Sequence, residues 1–195
     1  MNVEINSDYE LTYWRESLKN PDTQRHAYKI AATIFKLRKN LNGTVVDLGC
    51  GPINGVFNIL QFPRMIAIDP LWEQYNKEFG VKDEKVIKII GSSSKFNWMG
   101  RADSIFSMNA LDHSGDLGKS AWEIRYHLKQ RGTFILHVHM RTKEELNAGH
   151  NLVFTEEDID KAFGIMKQKW KKIYDKCPIY GSYKTYVACW ENVKV

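Results

Sequence analysis

Short apolar runs alternate along this chain with longer stretches whose apolar residues recur every three or four positions. Seven runs read as strands, being brief, rich in β-branched and aromatic residues and bounded by turn formers. They are TVVDL (44–48), RMIAID (64–69), KVIKII (85–90), ADSIFSM (102–108), GTFILHVH (132–139), KKIYDK (171–176) and KTYVACW (184–190). Helical periodicity fills 54–61, 71–79, 117–130 and 155–163 between them. The last helix opens with TEED, where Thr155 is placed to cap and Asp158 to answer it three residues on. Such an exchange of strand and helix predicts βαβ units and a parallel sheet. Ahead of the first strand, 8–19 and 23–40 carry Tyr9, Tyr13, Trp14, Tyr28 and Phe35 near helical spacing, which predicts a helical lid or outer layer over residues 1–40. Pro63 and Pro178 fall at element boundaries, where a missing N–H does least harm.

Length changes this picture little. The 195 residues suit one α/β domain with a real core and leave little room for a second, so 1–195 is read as a single domain. The opening MNVEINSDYE has no basic start followed by an apolar stretch, and no run approaches bilayer length, so the expectation is a soluble, cytoplasmic protein without membrane contact. Cys50, Cys177 and Cys189 are three in number and lack CxxC or zinc-knuckle spacing, which predicts reduced thiols and neither a disulfide framework nor a metal knuckle.

Charge is uneven. Residues 161–195 hold eight lysines against Asp175 and Glu191, a net of +6 in a chain whose total is +5. Such an excess attracts anions, nucleic acid among them; the plainer expectation is a solvated lysine face on a sheet edge, where lysine also discourages edge-to-edge pairing.

Candidate chemistry concentrates in VVDLGCGPINGV (45–56). A parallel sheet gathers ligands at the carboxyl ends of its strands, where the order of strands reverses, and the first strand-to-helix turn is usually there. Glycines at 49 and 51 permit a sharp turn and let a ligand approach bare amides. The second strand ends in Asp69, 22 residues after Asp47, where a carboxylate can accept both hydroxyls of a ribose. That arrangement serves NAD as well as S-adenosylmethionine. Asp47, just before the first glycine, favours the latter, because a carboxylate there supports the turn and faces a methionyl ammonium.

Together VVDLGCGP, IAIDP, GSSSKF, SMNALDHSGD and YHLKQRGTFILHVHMR, in this order across 44–141, resemble the successive motifs of class I S-adenosylmethionine-dependent methyltransferases. The flavour is that of the small-molecule group in which L(D/E)H follows the fourth strand. The resemblance implies a Rossmann-like, mostly parallel seven-stranded sheet of order 3-2-1-4-5-7-6, last strand antiparallel, with helices on both faces. It further implies S-adenosyl-L-methionine as cofactor, with Asp47, Gly49 and Gly51 at the methionine end, Asp69 on the ribose, Ser92 and Ser93 near the adenine, and Met108, Asn109 and Ala110 lining the site. Two departures stand out: serine replaces the acidic adenine contact, and Gln130 and Arg131 occupy positions where Pro and Gly are common.

Methyl transfer to a hydroxyl needs alignment and a base. Of six histidines, His113, His137, His139 and His150 fall near the expected cleft, while His26 and His127 lie on helices and read as structural. His137 and His139 share one side of a strand, and His139, nearer its end, is the one expected to reach the substrate. The candidate bases are therefore His113, His139 and His150, each with the alternative of a hydrogen-bonded pocket residue. These histidines with Asp112 also have donor types that suit divalent ions, but no compact spacing such as HExxH is present and no metal is assigned. Arg141, in the polar segment 141–154, reads as an anion contact or a plain surface arginine, and Tyr13 and Trp14 as cleft cover or core. The expected activity is methyl transfer to a small acceptor, such as a sugar or another hydroxylated metabolite. Three alternatives remain: a binding protein without turnover, an NAD-dependent oxidoreductase, and a nucleic-acid methyltransferase using the basic C-terminal segment. The last is disfavoured because the fourth motif reads NALD and no Pro-Cys nucleophile occurs.

Overall fold

Alternation along the strands sorts the core into two layers. Val45, Met65, Ala67, Phe106, Ile135 and Val187 face one side of the sheet, and Val46, Ile66, Ile68, Ile105, Phe134 and Leu136 the other, so each face holds its own apolar cluster. In the computed structural model, which describes residues 6–53, 55–80, 84–147, 149–150 and 152–193, the strands are β1 (Thr44–Leu48), β2 (Arg64–Asp69), β3 (Val86–Ile90), β4 (Ala102–Met108), β5 (Leu128–Met140), β6 (Lys167–Tyr174) and β7 (Lys184–Glu191). They pair in the order β3-β2-β1-β4-β5-β7-β6, parallel except for β7, which runs antiparallel to both β5 and β6. This is the order and the single antiparallel strand implied by the sequence resemblance. The reversal of order at β1 and β4 opens a crevice at their carboxyl ends.

Helices α1 (Ser7–Ser17), α2 (Pro21–Ile34), α3 (Leu37–Asn40) and α4 (Trp72–Phe79) bury Trp14, Tyr28, Ala31, Leu37 and Tyr75 in the first cluster. Helices α5 (Leu117–His127) and α6 (Glu156–Phe163) bury Ala121, Ile124, Ile159 and Phe163 in the second. Thr155 caps α6 in the expected box, its Oγ1 accepting from Asp158 N and the Asp158 carboxylate accepting from Thr155 N. Among the described residues no helix is long and apolar enough to cross a membrane.

Several boundaries differ from the sequence reading, each for a physical reason. The helix expected over 23–40 breaks where Lys36 adopts a left-handed φ of 50°. In place of a helix over 54–61 stands a 3-10 turn, Gly55–Asn58, tied to Asp47 through Val56 N; residue 54 lies outside the described residues. The helix expected to reach 130 stops at His127, because the Asn192 side-chain amide donates to the carbonyls of Arg125, Leu128 and Lys129 and the chain passes directly into β5. Arg131 takes a φ of 61° there, the conformation glycine usually serves. Edge strand β6 begins at 167, four residues before the expected start, for its exposed lysines give no apolar alternation to read. Two of them are ion-paired on the edge, Lys169 with Glu191 and Lys171 with Glu156 and Asp160.

Candidate active site

The turn after β1 shows why glycine is needed twice. Gly49 and Gly51 adopt φ of +72° and +61°; a Cβ on the first would sit 2.2 Å from Ala110 Cβ and one on the second 2.4 Å from the Trp14 ring. Asp69, at the end of β2, spans this turn from the side, one oxygen accepting from Gly51 N (3.0 Å) and the other from Leu71 N (2.9 Å). Burial raises its carboxyl to about 6, against the opposing pull of those two amides. Asp47 lies beneath the turn and accepts from Val56 N at 2.8 Å. Burial raises it to about 7 despite that bond, and the nearby Asp69 charge adds to the rise.

These residues open on a cavity of about 370 Å³ outside the carboxyl ends of β1, β2, β4 and β5. Gly49, Gly51, Asp69, Met108, Asn109 and Ala110 line it, whereas Asp47 supports it from behind. Asn109 holds a left-handed φ of 52°, donates its backbone N–H to His137 O at 2.7 Å, and leaves a buried Oδ1 without a partner among the described residues. Ser92 and Ser93 do not reach the cavity. Ser92 bridges to Lys95 through backbone bonds, and Ser93 is buried against the Ser120 hydroxyl at 2.9 Å.

The opposite wall is built on Asp112, fully buried in a short 3-10 turn after β4. His150 Nδ1 lies 2.5 Å from one of its oxygens, Arg141 Nε 3.7 Å from the same oxygen, and His113 Nε2 3.6 Å from the other. His150 is presented by an Asx turn, in which Asn147 Oδ1 accepts from Gly149 N and His150 N. Burial works to raise the Asp112 carboxyl, but the His150 hydrogen bond and the positive neighbours outweigh it and hold the group below the ordinary carboxylate range. His113 is held below its usual value by burial, against the pull of Asp112. The Arg141 guanidinium is stacked 4.0 Å over the Tyr183 ring, with Nε and Nη1 lacking a hydrogen-bond acceptor among the described residues.

Of the expected candidates, His113, His139 and His150 all line this cavity. His137 is sealed below it against Phe35, His26 is exposed, and His127 is stacked on Phe96 and bonded to Gly100 O. Glu10 escaped the sequence reading. From α1 it stands 3.5 Å from His113 Nδ1, and burial raises its carboxyl to about 7, with His150 opposing and Asp69 and Asp112 adding to the rise. The signal that could have found it is its position one turn before Trp14, on the helical face that carries the aromatics. Among the described residues two groups have the donor types and closeness to hold a metal ion: Asp112, His113 and His150, and separately His137, His139 and Cys177.

No protein-family model matches the chain, and no curated protein matches it. Solved structures do. The N-methyltransferase NodS of Bradyrhizobium japonicum is 12% identical over 90% of this chain and 98% of its own, with a TM-score of 0.66. A 1,6-didemethyltoxoflavin N1-methyltransferase from Burkholderia thailandensis, solved with that substrate and S-adenosylhomocysteine, is 17% identical over 96% of this chain and 87% of its own, TM-score 0.66. An S-adenosylmethionine-dependent methyltransferase from Clostridium acetobutylicum is 16% identical over 97% of this chain and all of its own, TM-score 0.66. At such identities the likeness is one of fold. The fold is that of class I methyltransferases.

Proposed function

We propose that the chain is a class I S-adenosylmethionine-dependent methyltransferase acting on a small hydroxylated acceptor. The observation that carries the reading is the meeting, in one cavity, of the Gly49–Gly51 turn and Asp69 with the Asp112–His150 pair. The residues fit the cofactor on structural grounds. Bare backbone at Gly49 and Gly51 leaves room that a side chain would fill, Asn109 offers an unpartnered buried acceptor, and each Asp69 oxygen keeps acceptor capacity beyond its one amide. Asp69 would hold the ribose hydroxyls, and the glycine turn with Asn109 the methionyl end, while Asp47 keeps the turn in shape. Ser92 and Ser93, engaged with Lys95 and Ser120, have no part in this proposal.

When bound, S-adenosylmethionine supplies a sulfonium methyl group for in-line displacement. The protein's share is to aim the acceptor and take its proton. A carboxylate on Nδ1 of His150 favours the proton on that nitrogen and frees Nε2 to take the proton of an acceptor hydroxyl. Asp112 then stabilises the imidazolium. Helix α1 acts as the cover: its Tyr9, Tyr13 and Trp14 exclude water from one side. Arg141, in the wall with an unpartnered Nη1, suits an acceptor bearing an anionic group.

Calorimetric titration of the purified protein with S-adenosylmethionine, S-adenosylhomocysteine and NAD tests this reading. Binding of both sulfur compounds, weakened about 10- to 100-fold in Asp69→Ala, is the expected result. A preference for NAD, or no binding, would sink it.

A further inference from the structure

His137, His139 and Cys177 come together from segments that the mechanism above does not use. Strand pairing turns both histidines to one side of β5 opposite Val187 and Thr185 of β7, and the turn from β6 to β7 brings Cys177 over them. That turn is tied down by Cys177 N donating to Ser182 O and Tyr183 O and by Gly181 N donating to Cys177 O. Their exposures are 0%, 4% and 1%, and one donor atom from each lies within 4.8 Å of the others.

Two observations single the cluster out. Both ring nitrogens of His139 and Nδ1 of His137 are buried without a hydrogen-bond partner among the described residues, which is costly for groups that normally find one. The spacing, moreover, is that of ligands around one small ion. His137 Nε2 lies 3.6 Å from Cys177 Sγ, and tetrahedral zinc with ordinary Zn–S and Zn–N bonds separates sulfur from nitrogen by about 3.6 Å. The two ring centroids are 5.4 Å apart, against roughly 5 Å for two imidazoles on a tetrahedral ion. A simple S–H···N contact between Cys177 and His137 would leave His139 unexplained.

We infer that His137, His139 and Cys177 form a binding site for a zinc-class divalent ion in the wall of the cavity. One thiolate and two imidazoles are a borderline-soft donor set, suited to zinc and unsuited to magnesium or calcium. Burial holds both imidazoles in the uncharged, ligating form, and the Cys177 thiol releases its proton to solvent on ligation. Three protein ligands leave a fourth position for water or for a group entering from the cavity, which His139 lines. His139 is then a ligand rather than a base, which leaves proton transfer to His150.

The test uses the full chain stripped of metal with a chelator and then titrated with Zn2+ or Co2+. Expected are one ion bound per chain, a raised melting temperature, and with Co2+ both the intense visible bands of tetrahedral cobalt and a sulfur-to-cobalt charge-transfer band in the near ultraviolet. Cys177→Ser should abolish the charge-transfer band and His137→Gln should weaken binding at least tenfold, while Cys189→Ser, whose thiol lies elsewhere in the core, leaves both intact. The spectrum of the unmodified protein needs no variant, so misfolding of one cannot hide the answer. Absence of binding overturns the inference. So does a cobalt spectrum without the sulfur band that survives Cys177→Ser and is lost in His150→Gln, because the ion would then sit on Asp112, His113 and His150. S-adenosylmethionine binding, measured on the same metal-free samples, is independent of either result.

Discussion

Asp69, at the end of β2, and Asp112, in the turn after β4, are both buried aspartates, yet their carboxyl groups shift in opposite directions. Burial acts on both alike. Asp69 meets it with two backbone amides and, among the described residues, no ion pair, and its carboxyl rises to about 6. Asp112 meets it with His150, His113 and Arg141, which more than offset the same penalty. A residue type and its depth thus do not fix its chemistry; the charge of what touches it does. In the proposed enzyme the difference has a use. One carboxylate is free to accept hydroxyls, and the other is committed to orienting a base.

The sharpest way to break the comparison is to remove each carboxylate. Asp112→Ala leaves Arg141 buried beside no anion and His150 without its orienting partner. Stability should fall by about 3–5 kcal/mol in urea denaturation, and kcat by about 10²–10⁴-fold in whatever acceptor assay the cofactor screen yields. Asp112→Asn, which keeps the shape without the charge, should recover part of the stability and little of the rate. Equal behaviour of Ala and Asn in both assays would show that charge is not what Asp112 contributes.

Removing the charge at Asp69 should act on affinity instead. Asp69→Asn is expected to weaken S-adenosylmethionine binding about 10-fold or more. The pH dependence carries the sign. Below pH about 6 the carboxyl is protonated and half its acceptor capacity is lost, so affinity in the unmodified protein should decline as pH falls through 6 while Asp69→Asn stays flat over that range. Calorimetry at several pH values reads both curves, and parallel curves would remove Asp69 from the ribose role.

Much of this contrast was legible beforehand on one side only. Asp47, Gly49, Gly51 and Asp69 are local to two strand ends, and the φ values and close contacts at the glycines are of the kind that leave a mark in sequence. The central strands were equally plain, for they are buried along most of their length and mainly apolar, with Val45, Val46, Ile66, Ile68, Ile105 and Phe106 at their centres. The Asp112 side is assembled from α1, the turn after β4 and the 141–154 segment, so Glu10 and the Asp112–His150 bond come from topology rather than spacing. Cys177 was read as a plain thiol because its neighbours His137 and His139 are distant in sequence. Ser92 and Ser93 were placed at the adenine by motif position, but a tight turn to Lys95 and a hydroxyl on Ser120 take them away from the cavity.

Asp47 sharpens the comparison without a ligand. Its folded carboxyl, at about 7, lies above the ordinary 3.8, so its contribution to stability is complete below about pH 4 and is lost as pH rises through 7. An asparagine can keep the bond to Val56 N and has no charge to bury. Relative to Asp47→Asn, the unmodified protein should therefore lose stability, on the order of 2 kcal/mol, between pH 5 and 8. Asp112 runs the other way: its contribution is present above the unfolded value and is lost only as pH falls through a still lower folded one. Melting curves of the two Asp47 forms across that range decide it, and a constant difference would mean that the Asp47 charge is not buried as the geometry requires.

The smallest expected effect concerns the cation that Asp112 needs. Arg141 is held not only by that carboxylate but by the face of Tyr183, 4.0 Å from its guanidinium carbon. A ring face over a buried guanidinium is worth roughly 0.5–2 kcal/mol and requires the π-system, not the hydroxyl. Tyr183→Phe should therefore leave urea stability unchanged, whereas Tyr183→Leu should lower it by about 1 kcal/mol and relax the Arg141–Asp112 contact. Asp69 offers no counterpart to this effect, having amides fixed by the backbone in place of a mobile cation. If Phe and Leu cost the same, the phenol rather than the ring face secures Arg141, and the positive partner of Asp112 is positioned by hydrogen bonding instead.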